Sequence, residues 1–249
     1  VNTILDYMSL SNSASKNILP YWIHSLSTFP SLTEHLDLFS RIESILENVT
    51  GELAESLINA TVQLMPDYPS QSKNILTTID SNSNSSIRRS LASVIPKIYS
   101  HDPHLTLSIL DLLLTDVDQE TCVIATSALG FIIRFNPEEY YLRAPIVIQH
   151  GNQKALQILV NNSLMEYLNQ DITDKINILP DLWINSNEST RSKLVSYIVE
   201  QGKLDLPSYI KTATEIFDED QNSFLELYRW VGMRDNILQA KLSEINAKI

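Results

Sequence analysis

Prolines recur along this chain at one fixed interval, and that interval constrains the fold more than any other feature of the 249 residues. Pro69, Pro103 and Pro137 are 34 residues apart, and Pro207 follows two intervals later with two residues added, leaving a missing member near Asp171. A repeat of about 20 to 50 residues marks stacked supersecondary units, each too small to bury its apolar face alone. Proline suits the first turn of a helix, where its absent N–H would have no partner anyway. Each proline is therefore expected to open the first helix of a hairpin.

A second register repeats independently. Asn84, Asp118, Asn152 and Asn187 are spaced 34, 34 and 35, and all four are residue types whose side-chain oxygen caps a helix N-terminus. They are expected to start the second helices. Three residues after each cap stand Ile87, Thr121, Ala155 and Thr190. Four further on stand Leu91, Ala125, Leu159 and Leu194, with Tyr228 continuing the series. Helical spacing extends the buried stripe through Val94, Ile95 and Ile98 in one copy and Ala128, Leu129 and Ile132 in the next. The segment containing Leu105, Leu107, Ile109, Leu110, Leu112, Leu113 and Leu114 is apolar nearly all round, as expected of a first helix packed between two neighbours.

These registers predict an all-α chain. Residues 69–240 divide into five hairpins, 69–102, 103–136, 137–170, 171–206 and 207–240, continuous with residues 241–249 as a helical end that keeps Leu242 and Ile245 inward. Residues 1–68 lack the period and read as an irregular helical cap, with helices expected over Ser13 to Ser27, Thr33 to Asn48 and Gly51 to Met65.

Segments 116–130, 86–96 and 189–198 resemble the inter-helix turn and second helix of HEAT repeats, within the HEAT and armadillo family of helical repeats. The resemblance covers roughly Pro69 to Ala240 and implies a right-handed α-solenoid of five to seven hairpins. The family pattern places an Asp in the turn and a basic residue just after the first apolar residue of the second helix. Arg88 and Arg191 match it; Cys122, Leu156 and Leu225 stand where the basic residue is expected and would interrupt any side-chain ladder between repeats. HEAT motifs carry no reaction, so the resemblance concerns architecture alone.

Charge and composition narrow the function classes. With 30 acidic against 18 basic residues the formal net charge is −12, which repels phosphate backbones and anionic membranes at long range. No apolar run is long enough to span a bilayer, no export signal is evident, and the single cysteine, Cys122, has no intrachain partner. An intracellular, cytoplasmic setting is expected. Asn-x-Ser/Thr triplets at Asn48, Asn59, Asn84, Asn161 and Asn187 read as chance occurrences in an Asn- and Ser-rich chain.

No catalytic constellation, cofactor motif or metal site emerges. His101 and His104 form a close pair without further ligands at the required spacing. The acidic turns Asp116 to Glu120 and Asp218 to Asp220 lack the glycine and terminal glutamate of a calcium loop, and instead suit helix starts, where carboxylates favour the dipole. Basic residues, Lys97 and Lys193 among them, do recur on the second helices, and Arg88, Arg89, Arg134, Arg191, Arg229 and Arg234, with Trp230, are the candidate partner-binding residues of a concave face. Trp22, Trp183 and Trp230 could each anchor a peptide from such a surface, but tryptophan at helical spacing in apolar company is expected mainly in the core. The leading reading is a non-catalytic scaffold that binds a protein or peptide partner. The alternative is a nucleic-acid-binding protein resembling the alkyl-base DNA glycosylases built on HEAT repeats, to which Arg229, Trp230 and Arg234 would contribute.

Overall fold

The computed structural model describes residues 13–46, 49, 51–79, 83–169 and 177–247. The described residues are helical, with no strand among them. The chain divides into two compact units, Val1–Ala128 and Leu129–Ile249.

In the first unit α1 (Ser13–Ser27) is followed by a 3-10 turn at Pro30–Leu32, α2 (Leu38–Leu46), α3 (Glu52–Leu64), α4 (Pro69–Thr78), α5 (Ser85–Tyr99), α6 (Pro103–Leu113) and the greater part of α7 (Gln119–Ile132). Helices two places apart pack together: α1 on α3, α3 on α5, and α2 on α4. The helix expected over Thr33 to Asn48 is shorter at its start. Residues 33–37 form a turn that ends at Asp37, with φ 50°, a left-handed conformation that a helix cannot continue through and that Asp tolerates better than most residues. Asn48 lies outside the described residues.

The second unit continues with α8 (Pro137–His150), α9 (Gln153–Asn162), the short α10 (Leu164–Asn169), α11 (Leu179–Asn185), α12 (Glu188–Leu204), α13 (Leu206–Glu219), α14 (Gln221–Gly232) and α15 (Asn236–Asn246). Its contacts form two series. Helices α8, α11, α13 and α15 touch in that order, as do α9, α12 and α14, while neighbours such as α8 and α9, α11 and α12, and α13 and α14 pair across the two series. Helix α11 has seven residues, too few to be stable as an isolated helix. It persists because Leu179, Leu182 and Trp183 are fully buried, each side chain contributing roughly 1.5–3 kcal/mol, and because Trp183 Nε1 donates to the Ser223 carbonyl at 3.0 Å.

Local chemistry explains the helix starts. Pro69, Pro103 and Pro137 are the first residues of α4, α6 and α8, and Pro207 is the second of α13. The expected member near Asp171 falls outside the described residues. Asn84, Asn152 and Asn187 cap α5, α9 and α12 through their side chains, and Asp118 accepts from both the N–H and the hydroxyl of Thr121 at the start of α7. Between α8 and α9 the chain turns within two residues: Gly151 adopts φ 72°, where a Cβ would be strained, and Asn152 caps at once.

Two expectations are corrected. The last second helix is capped by Asp220, which accepts from the N–H groups of Asn222 and Ser223; the core position seven residues on is therefore Leu227, fully buried, and not Tyr228, which is only partly buried. The same one-residue shift puts the buried Phe224 where Leu225 was expected. Helix α6 is also not enclosed all round. Leu105, Ile109, Leu110 and Leu113 are buried, but Leu112 is 65% exposed.

Tight approach of α12 to its neighbours rests on Gly202. A Cβ built there would lie 2.9 Å from a methyl of Leu238 and 3.1 Å from the Tyr209 ring. Gly202→Val is expected to lower stability by about 1–3 kcal/mol through overpacking, read as a reduced urea midpoint at an unchanged slope.

Candidate partner-binding surface

The four residues that follow each cap determine what a second helix does with its charges. At the third position after the cap Ile87, Thr121, Ala155, Thr190 and Ser223 are all buried. The fourth position carries Arg88, Cys122, Leu156, Arg191 and Phe224. Its two arginines point away from solvent into the junction between hairpins.

Arg88 is 5% exposed. Its Nε and Nη2 bind both carboxylate oxygens of Asp116, at 2.6 and 2.9 Å, and its Nη1 donates to the Ser83 carbonyl ahead of its own helix. Asp116 lies in the α6–α7 turn, so the guanidinium joins one inter-helix turn to the next. Arg89 repeats the connection one residue on, binding Asp118 through Nε and Nη2 at 2.8 and 2.6 Å. That guanidinium and the Thr121 donors hold the Asp118 carboxyl below the usual carboxylate range. Asp118 thus caps α7 and receives a charge from α5.

Arg191 plays the corresponding part in the second unit. It donates to the Trp183 and Ile184 carbonyls at the end of α11, at 2.8 and 2.9 Å, and stacks 5.4 Å from the Trp183 ring centroid. It also reaches the Ser223 hydroxyl at 3.1 Å and pairs with Glu226, both on α14. Where α9 lacks an arginine, Gln153 makes the same kind of bridge, donating to the Asn185 carbonyl at 2.8 Å and accepting from the Asn187 N–H at 2.8 Å. Arg134, more exposed, lies 3.4 Å from Glu166.

The expected candidates therefore separate. Arg88, Arg89, Arg134 and Arg191 are each met by a carboxylate, and Arg88 and Arg191 are spent in joining hairpins. Arg229, Trp230 and Arg234 remain on one side of α14 and the turn that follows it. Glu226, Arg229, Trp230 and Met233 recur there at helical spacing; Arg229 is exposed, Trp230 half-buried, and the Arg234 guanidinium lies 5.7 Å from the Trp230 ring centroid. Of the other tryptophans, Trp183 is core, whereas Trp22 on α1 is 45% exposed.

The two lysines that recur with the arginines on the second helices, Lys97 and Lys193, also make bridges between helices. Arg234 Nη2 donates to the Ser192 carbonyl of α12 at 2.9 Å, and Lys193 Nζ donates to Asn161 Oδ1 of α9 at 2.8 Å. Polar bonds therefore link α12 to α9 on one side and to the turn after α14 on the other. In the first unit Lys97 of α5 makes a comparable bridge to Asn59 Oδ1 of α3, at 2.6 Å. Those pairs leave a sequence signal, a Lys about one repeat after an Asn, that is too common in this composition to be noticed alone.

On the other helix series of the second unit the charge is reversed: Asp181, Glu215, Asp218 and Glu219 line an open groove with Asn177, Pro180 and Lys211. His101 and His104 are exposed at the α5–α6 junction. Among the described residues no cluster of three or more His, Cys, Asp or Glu side chains is placed to hold a metal ion, and no helix is long and apolar enough to cross a membrane. Comparison with protein-family models, curated proteins and solved structures finds no match.

The buried pair in the first unit is open to direct test. Asp116→Ala leaves the Arg88 charge buried without its counter-ion and is expected to cost about 3–5 kcal/mol in urea unfolding, whereas the double change Arg88→Met with Asp116→Leu costs much less.

Proposed function

We propose that this chain is a stack of HEAT-like helical hairpins that acts without catalysis, holding a protein partner along the outward faces of its second helices. The reading is supported most by one observation: in the second unit, Lys193 of α12 bonds to the Asn161 side chain of α9 and Arg234, in the turn after α14, bonds to the Ser192 carbonyl of α12, so that polar contacts brace this surface. A partner meeting such a surface gains contact at several points without reordering it, which lowers the cost of association. In the proposed right-handed solenoid these helices line the concave side, and α8, α11, α13 and α15 the convex side.

Nucleic acid is the less favoured partner. Four of the arginines that would make a basic groove are already neutralised by carboxylates, and the chain as a whole carries −12, so little is left to replace the counter-ions of a phosphate backbone.

A photoreactive benzoylphenylalanine introduced at Trp230 is expected to trap a discrete partner protein from a lysate, while the same group at Asp181, on α11, traps none. Equal trapping at both positions, or trapping at neither, would contradict the assignment of the binding face.

A further inference from the structure

The cations on the α9–α12–α14 surface differ from the others in what they touch. Arg88, Arg89, Arg134, Arg143 and Arg191 each lie against a carboxylate. Lys193 and Arg234 instead bond to neutral oxygens, Asn161 Oδ1 and the Ser192 carbonyl, and among the described residues no ion pair involves Lys193, Arg229 or Arg234. Two neighbouring carboxylates are engaged elsewhere, Glu226 by Arg191 and Glu200 by Lys203, Asp235 caps α15 through the Ile237 and Leu238 N–H groups, and Glu188 lies in the first turn of α12, five residues before Lys193. Lys193, Arg229 and Arg234 are thus exposed cations on a strongly acidic protein, with Arg234 lying over the Trp230 indole.

Two of these groups are also held in place. Arg234 is fixed by the Ser192 carbonyl and by its position over Trp230, which uses one of the five guanidinium donors and leaves a fork able to meet a carboxylate. Lys193 is fixed to Asn161 with two ammonium protons to spare. The half-buried Trp230 between Arg229 and Arg234 offers a flat apolar face to a side chain set among acidic residues.

Building on the scaffold reading, we infer that this face recognises an acidic peptide segment of the partner, with Lys193, Arg229 and Arg234 receiving its carboxylates and Trp230 an apolar side chain. Charge complementarity favours a peptide over a polynucleotide. A peptide can confine its acidic residues to a patch three cations wide. A nucleic acid strand carries a charge about every 3.4 Å along its whole length, and must run beyond the patch onto a chain of net charge −12.

Panning a random dodecapeptide phage library against the full chain, with counter-selection on a Lys193→Gln, Arg229→Gln, Arg234→Gln variant, tests this. All three side chains lie outside the core, and a thermal melt of the variant checks that it remains folded; Arg229→Gln alone serves if the triple variant does not. The expected result is enrichment of Asp- and Glu-rich peptides carrying a large apolar residue, whose synthetic versions bind the variant at least about tenfold more weakly and weaken as salt is raised. Enriched peptides without acidic residues, or acidic ones that bind the variant equally well, would overturn the acidic-segment assignment and leave the scaffold reading standing. Single-stranded DNA that binds this face more tightly than every selected peptide would overturn it in favour of nucleic acid. No enrichment at all would overturn both the inference and the scaffold reading.

Discussion

The structure depends on side chains that reach from the turn of one hairpin to the turn of the next. Backbone hydrogen bonds are satisfied inside each helix, so they cannot set how one hairpin sits on another; apolar burial is strong but non-directional. Direction comes from a small set of bonds at the junctions. Arg88 and Arg89 meet Asp116 and Asp118, Gln153 meets the backbone on both sides of the α11–α12 turn, and Arg191 joins the end of α11 to Glu226 and Ser223. Arginine and glutamine thus perform one task near the starts of α5, α9 and α12. A buried ion pair adds little net stability over an apolar substitute, so the value of Arg88 and Asp116 lies in fixing geometry.

That division of labour explains the surface. Arginines just after the helix cap are drawn into the junction and neutralised, whereas Lys97, Lys193 and Arg234 face outward and bond to amide and carbonyl oxygens. The same helix series therefore carries both structural and available charge. In the second unit the opposite series keeps its carboxylates in the open groove around Asp181 and Glu215. A partner approaching the two series meets opposite electrostatics, which is the physical content of the proposed binding face.

Much of this was legible in the sequence because it is local. A proline at the first turn and an Asn or Asp cap act within a few residues of themselves, and Pro103, Pro137, Asn84, Asn152 and Asn187 do in the structure what their chemistry implies. The last register was misread by one residue because Asp220 follows Asn187 by 33 residues instead of 34, a shortening that the regular period conceals. Leu112 was misjudged for a related reason: an apolar run shows that a helix is buried, not which of its sides a neighbour leaves uncovered. The separation of Arg88 and Arg191 from Arg229 and Arg234 was not legible, since it depends on partners 28 to 42 residues away in sequence.

If hairpins are held mainly by bonds to their immediate neighbours, damage should stay local. Hydrogen exchange in Phe224→Ala, which empties a fully buried position in the last hairpin, measures this directly. The account predicts accelerated exchange in α12 to α15 with protection in α8 and α9 close to that of the unaltered chain, as in a quasi-one-dimensional array. A uniform loss of protection across the second unit would show a single cooperative core and contradict it.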